Sequence, residues 1–154
     1  MVIVAKVTQL IIFVGVQASG KSTYYRDHFA ATHVHVSKDL MKNSRDAEAR
    51  QRRLIEAALA EGKPVVVDNT NPTPIVRAPL IEIGRRHGAR IVAYFFEVTV
   101  KTAVARNRGR EGKARVPDVA IFVTKKKIVP PALDEGFDEI HIVDAEHFGA
   151  EAQS

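Results

Sequence analysis

The segment Gly15-Val16-Gln17-Ala18-Ser19-Gly20-Lys21-Ser22 constrains this chain more than any other stretch. It has a glycine, four variable residues, then glycine, lysine and serine, the spacing of a phosphate-binding loop. The apolar run Leu10–Val14 leads into it, and a helical pattern from Lys21 to about Ala30 follows. In that setting the glycines let the backbone curl so that successive N–H groups point inward at phosphate oxygens. The positive end of the helix dipole strengthens the cradle. Gly15, Gln17, Ala18, Ser19, Gly20, Lys21, Ser22 and Thr23 are therefore the expected nucleotide-binding residues. Lys21 is expected to reach the β- and γ-phosphates of a nucleoside triphosphate, and the Ser22 hydroxyl to ligate the Mg²⁺ that accompanies it. A chance glycine turn does not require strand, spacing, lysine and serine together.

Short apolar runs alternate with longer helical patterns along the rest of the chain, which implies an α/β fold built on a parallel sheet. The strands are expected at Leu10–Val14, Val34–Val36, Val65–Val67, Arg90–Val98 and Glu139–Val143, with Met1–Val7 extending the first or forming an edge strand. Helices are expected at about Asp46–Glu61, from Pro74 to His87 with a kink at Pro79, from Thr99 to Arg108 and at Asp118–Ile128. Thr73 should cap the second of these, with Pro74 in its first turn. The class is a three-layer P-loop NTPase/kinase fold of about five strands flanked by helices. With 154 residues it fits one domain spanning 1–154. There is no cysteine, so disulfides and thiolate-bound zinc are excluded. No run reaches the ~18 apolar residues of a membrane span. A cytoplasmic protein without membrane partners is the expectation.

Ligands in open α/β sheets sit at the carboxyl ends of the strands, so the remaining site residues are sought there. The third strand runs into Asp68-Asn69-Thr70-Asn71-Pro72. A turn accounts for Asn71-Pro72, but not for this polar series at the mouth of a buried strand. A carboxylate such as Asp68 belongs near Mg²⁺ and the γ-phosphate. A hydrolysing AAA-type motor would carry glutamate next, and Asn69 stands there instead, which argues against a dedicated ATPase. The second strand runs into Ser37-Lys38-Asp39. Asp39 is either a helix cap or the base that takes a proton from an acceptor hydroxyl. His33 and His35 share one strand face, but no third ligand has metal-site spacing.

Charge is distributed unevenly. Nine lysines and arginines lie between Lys101 and Lys127, opposed only by Glu111 and Asp118, whereas residues 128–154 hold seven acids and no lysine or arginine. Such asymmetry fits a polyanionic partner, nucleotide or nucleic acid, or else a solvated helix face. The Gly- and Arg-rich segment at about 106–117 has the character of a mobile lid. Arg106 and Arg110 could close over the triphosphate, neutralise developing charge and exclude water. The tail after Val143 is expected to fray.

Taken together these motifs resemble the 5′-kinase domain of polynucleotide kinases, in particular the kinase half of animal polynucleotide kinase/phosphatase. The resemblance runs from about Leu10 to Val143. It rests on Val65–Pro72 (VVVDNTNP) with Arg77 beyond it, on Arg106-Asn107 through Val116-Pro117, and on Ala132–Phe137 (ALDEGF). It implies that Asp39 is the general base and that Lys21 and Arg110 complete the catalytic set. It implies an acceptor site of Lys42, Asp68, Asn69, Asn71 and Arg77, with Arg106 and Arg110 gripping the donor phosphates. Lys42 stands where the family has arginine and lacks the planar fork for bidentate phosphate contact. A phosphatase half does not fit in 154 residues, so 3′-end processing would need a separate phosphatase or ligase partner. Three readings follow: a kinase of DNA or RNA 5′-hydroxyl ends, a kinase of a small-molecule hydroxyl, and a nucleotide-binding regulatory module without transfer.

Overall fold

The computed structural model describes residues 8–41 and 45–148; Met1–Val7 and Lys42 lie outside them. Among the described residues five strands form one parallel sheet: β1 Gln9–Val14, β2 Val34–Val36, β3 Val65–Val67, β4 Arg90–Glu97 and β5 Glu139–Asp144. The helices between and beside them are α1 Lys21–His28, α2 Ala47–Ala60, α3 Pro74–Arg86, α4 Val100–Arg108 and α5 Asp118–Lys127.

Side-chain alternation on β1 explains the three layers. Leu10, Ile12 and Val14 pack with Ile55 and Leu59 of α2 and Leu80 and Ile83 of α3. Ile11 and Phe13 point the other way, to Tyr25 of α1, Ala103 of α4 and Ile121 of α5. All five β1 side chains are fully buried. Each contributes about 1.5–3 kcal/mol by leaving water. β3 is buried on both faces as its run of three valines requires.

The strand order is β2-β3-β1-β4-β5. The chain leaves β1 for the edge, returns through β3 and then crosses to β4 on the other side. The order therefore reverses at β1, and the crevice for a ligand opens at its carboxyl end.

Local signals were kept where they were strong. The Thr73 and Thr99 hydroxyls accept from the N–H groups of Val76 and Thr102, capping α3 and α4. The helix α3 runs through Pro79, which lies inside it. The carbonyl left without a partner is that of Ile75, whose side chain is 85% exposed, so water can serve it. One expectation needs correction: the chain after β5 does not fray at once. The Asp144 side chain caps a short 3-10 turn, Ala145–His147. Glu146 accepts hydrogen bonds from Thr99 N–H and from the hydroxyls of Thr99 and Thr102. Phe148 stacks on Tyr24.

Candidate active site

The phosphate-binding loop connects β1 to α1 and is shaped by two left-handed residues, Ala18 at φ 61° and Gly20 at φ 99°. Left-handed turns of this kind direct backbone N–H groups into one concavity. Gly20 is the sharper requirement. A Cβ there would lie 2.6 Å from Phe148 Cδ2. Gly20→Ala is expected to weaken nucleotide binding by about tenfold or more, since left-handed backbone alone costs ~1–2 kcal/mol. Titration with a fluorescent ATP analogue checks this; undiminished affinity would detach the turn from phosphate binding.

Lys21 is buried and its ammonium donates to the carbonyls of Gly15 at 3.0 Å and Val16 at 2.7 Å. Burial pushes its pKa down to about 8. The charges of Asp68 and Asp39 oppose that shift, and Arg110 adds to it. Asp68, Asp39 and Arg110 are thus each within electrostatic reach of Lys21. Gln17 Nε2 donates to Thr124 Oγ1 at 3.0 Å and ties the loop to α5.

A cavity of about 370 Å³ opens beside the loop, at the carboxyl ends of β1, β2 and β3. Lys21, Ser22, Asp39, Asp68, Asn69 and Arg110 line it. Lines of sequence 17 to 110 residues into the chain therefore converge on one space, as the strand ends require. Asp68 accepts a hydrogen bond from Ser22 Oγ at 2.8 Å and is 4% exposed. Burial alone would raise its pKa. The hydrogen bond from His35, the charge of Lys21 and the hydrogen bond from Ser22 outweigh burial and hold it below the usual carboxylate range. Asp68 therefore stands as an anion beside the hydroxyl expected to bind metal, on the donor side of the cavity. That agrees with the reading of Asp68 from its place at the strand end, whereas the family resemblance grouped it with the acceptor site.

Asp39 lies in a 3-10 turn, Lys38–Leu40, that follows β2. The alternative role of helix cap does not describe it. Ser37 caps this turn by accepting from Asp39 N–H, and Asp46 precedes α2. The Asp39 carboxylate has no hydrogen-bond or ion-pair partner among the described residues, and it is exposed at the cavity.

Asn69 and Asn71 line the cavity, and both also serve the fold. Asn69 Oδ1 accepts from Lys38 N–H at 2.9 Å and its Nδ2 donates to Gln51, so it fixes the turn that holds Asp39. Asn71, at φ 42°, donates from Nδ2 to Phe13 O at 2.8 Å.

Arg77 is a correction. It is fully buried. Its guanidinium makes a two-pronged pair with Glu135, both bonds 2.9 Å, and donates to the carbonyls of Asn71 and Val129. Buried and holding these four bonds, Arg77 braces α3 against the segment after α5 and is not among the residues that line the cavity.

The two lid arginines differ. Arg110 lines the cavity. Arg106 is not among the lining residues; it donates weakly to Ser19 O and Glu146 O, both at 3.4 Å. Thr23 is exposed on the first turn of α1, accepting from Arg26. The loop after α4 is pinned at its base. Asn107, fully buried, bonds both the N–H and the carbonyl of Val116.

The oxygen donors at Ser22 and Asp68 fit Mg²⁺, a hard cation that takes few protein ligands and keeps phosphate oxygens and water. Among the described residues no group of three His, Cys, Asp or Glu gathers as a metal cage. His33 bonds Gln9 and Thr32, whereas His35 bonds Asp68. The pairing of His35 with Asp68 was not foreseen, because it joins residues 33 apart in sequence. Among the described residues, no helix is long and apolar enough to cross a membrane.

A family model described as an AAA domain matches residues 10–131. Two curated relatives share similar sequence. One, from Acanthamoeba polyphaga mimivirus, bears the provisional name of bifunctional polynucleotide phosphatase/kinase; it is 29% identical over 142 residues, 88% of this chain and 33% of its own. The other is the bifunctional polynucleotide phosphatase/kinase of Schizosaccharomyces pombe, 26% identical over 139 residues, again 88% of this chain and 33% of its own. The chain thus spans about a third of the length of these relatives. In fold it is similar to a gluconokinase from Sinorhizobium meliloti, with a TM-score of 0.65 at 20% identity, covering 96% of this chain and 88% of that one.

Proposed function

The chain belongs to the AAA-domain family of P-loop proteins, and from that premise we propose that it transfers the γ-phosphoryl group of ATP to the 5′-hydroxyl end of DNA or RNA. The observation behind this reading is the single cavity that Lys21, Ser22, Asp39, Asp68 and Arg110 share. Phosphoryl transfer needs little covalent help from a protein; positioning and charge neutralisation do most of the work.

In this mechanism the loop N–H groups and Lys21 hold the triphosphate. Ser22 and Asp68 would hold Mg²⁺, which neutralises phosphate charge when bound. Asp39 accepts the proton of the acceptor hydroxyl as that oxygen bonds to the γ-phosphorus. The bond from γ-phosphorus to the bridging oxygen breaks and ADP leaves. Arg110 faces the charge that develops on the phosphoryl oxygens. Asn69 keeps Asp39 in place through Lys38 N–H.

The acceptor assignment is supported by the names of the two curated relatives. It is also supported by the basic run from Lys101 to Lys127. Lys125, Lys126 and Lys127 are exposed on the last turn of α5. A cavity of about 370 Å³ is also the size of a metabolite site, and the gluconokinase fold likeness keeps a small-molecule hydroxyl as the second reading. Activities housed in the other two thirds of the curated relatives are not carried over.

One screen separates the readings: γ-labelled ATP with 5′-hydroxyl DNA, 5′-hydroxyl RNA and a panel of sugars and other alcohols. Label on oligonucleotide ends supports the proposal; label on a metabolite alone overturns it. ATP binding with no labelled product of any kind would leave the regulatory module.

The lowered pKa of Lys21 gives a pH signature. Burial disfavours the ammonium, so the free folded protein loses this proton as pH rises through about 8. A triphosphate favours the charged form and raises that pKa. Nucleotide binding at about pH 8.5 is therefore expected to take up a proton, and affinity to fall as pH rises further. Calorimetry in two buffers of different ionisation enthalpy measures the uptake. Identical heats in both would show that Lys21 does not meet the phosphates.

A further inference from the structure

His35 is the buried-side partner that the mechanism above leaves unused. It sits on β2 with Val34 and Val36 on the opposite face. The strand fixes its backbone, paired in register with Val66 of β3. Two contacts hold its ring. Tyr25 of α1 stacks on the imidazole at 3.9 Å between centroids and 14° between planes. Tyr25 is itself anchored, its hydroxyl donating to His33 O at 2.6 Å. The second contact is Nε2 with Asp68 Oδ2 at 2.8 Å.

The chemistry of that contact is fixed by its acceptor. An ionised carboxylate only accepts, so His35 Nε2 carries the hydrogen and donates. Ser22 Oγ donates to the same oxygen, Oδ2. Both described hydrogen bonds of Asp68 thus fall on one oxygen, leaving Oδ1 outside them in a residue that lines the cavity. Two donors on one oxygen remove the carboxylate's freedom to rotate.

We propose that His35 is a positioning residue: held by Tyr25, it locks Asp68 so that the carboxylate and Ser22 present fixed oxygens to the divalent cation that accompanies the nucleotide. The proposal rests on the nucleotide-site reading but not on the identity of the acceptor. Partners that orient metal-facing carboxylates commonly matter by about 10–100-fold in metal affinity or activity.

Two variants separate positioning from packing. His35→Phe keeps an aromatic ring against Tyr25 and deletes the donor. His35→Gln removes the ring and returns an N–H near the place of Nε2. The measurement is Mn²⁺ affinity in the presence of ATP, followed by electron paramagnetic resonance, with the melting temperature of each variant alongside. His35→Phe is expected to bind Mn²⁺·ATP about 10–100-fold more weakly while melting near the wild type, and His35→Gln to recover most of the loss. In kinetics, the Mg²⁺ requirement should rise in His35→Phe and the KM for the acceptor should stay put. Unchanged Mn²⁺ affinity in His35→Phe overturns the proposal. Equal loss in both variants also overturns it, because the ring and not the donor would then matter. Failure of the wild type itself to bind Mn²⁺·ATP would sink the nucleotide-site reading instead.

Discussion

Asp39→Asn is expected to lower phosphoryl transfer by about 10²–10⁴, the usual worth of a positioned base. The amide keeps the shape and cannot take the hydroxyl proton. ATP affinity should hold within about twofold, because in the proposed mechanism Asp39 serves the acceptor hydroxyl and not the donor phosphates. The 3-10 turn should survive, since Ser37 and Asn69 hold its backbone and the Asp39 carboxylate bonds nothing among the described residues. Single-turnover transfer from γ-labelled ATP, measured beside equilibrium ATP binding, tests both halves. A wild-type rate in this variant would remove Asp39 from the mechanism and return the exposed carboxylate to the status of a surface charge. Equal losses of binding and rate would place it on the donor side.

The second large effect concerns stability. Arg77→Ala is expected to destabilise the fold by about 3–5 kcal/mol, as breaking a buried ion pair does. It leaves Glu135, with a side chain only 10% exposed, without its partner, and strands the carbonyls of Asn71 and Val129. Arg77→Lys should recover little, because an ammonium cannot make the two-pronged contact. Urea unfolding reads the loss. Had Arg77 served the acceptor, the same substitution would leave stability near the wild-type value and raise the acceptor KM, and that outcome would refute the brace. The consequence for the site is indirect: Arg77 holds the Asn71 carbonyl, and Asn71 in turn pins the loop after β3 to Phe13.

Much of the fold was legible because its causes are local. The run of valines at 65–67, the cap at Thr73, the glycine at the helix start and the alternation on β1 act within a few residues. They led to five strands and a phosphate loop close to where they lie. The site was legible in its donor half for the same reason: Gly15 to Ser22 is one continuous segment. The acceptor half was not. Asp68, Asn69, Asn71 and Arg77 are near neighbours in sequence, and their side chains go to four different tasks. Asp68 meets Ser22, Asn69 steadies the Asp39 turn, Asn71 reaches β1, and Arg77 turns inward to Glu135, 58 residues away. Polar residues at a strand mouth look alike in a sequence, whichever way each one points.

The sequence by itself determined that a triphosphate can be held at Gly15–Ser22, because backbone conformation there depends on glycines and a helix start within the segment. It also determined the parallel sheet, through the period of its apolar residues. Only the tertiary structure decided which charges share a cavity and which are consumed by the fold. Asp39, with no described partner, and Arg77, fully paired, are both charged residues beside the same strands. What separates them is the chain that returns beside each: Glu135 comes back against Arg77, while Asp39 is left facing the cavity. Burial makes an unpaired charge too costly to keep, so contacts distant in sequence settle which charges are free to do chemistry.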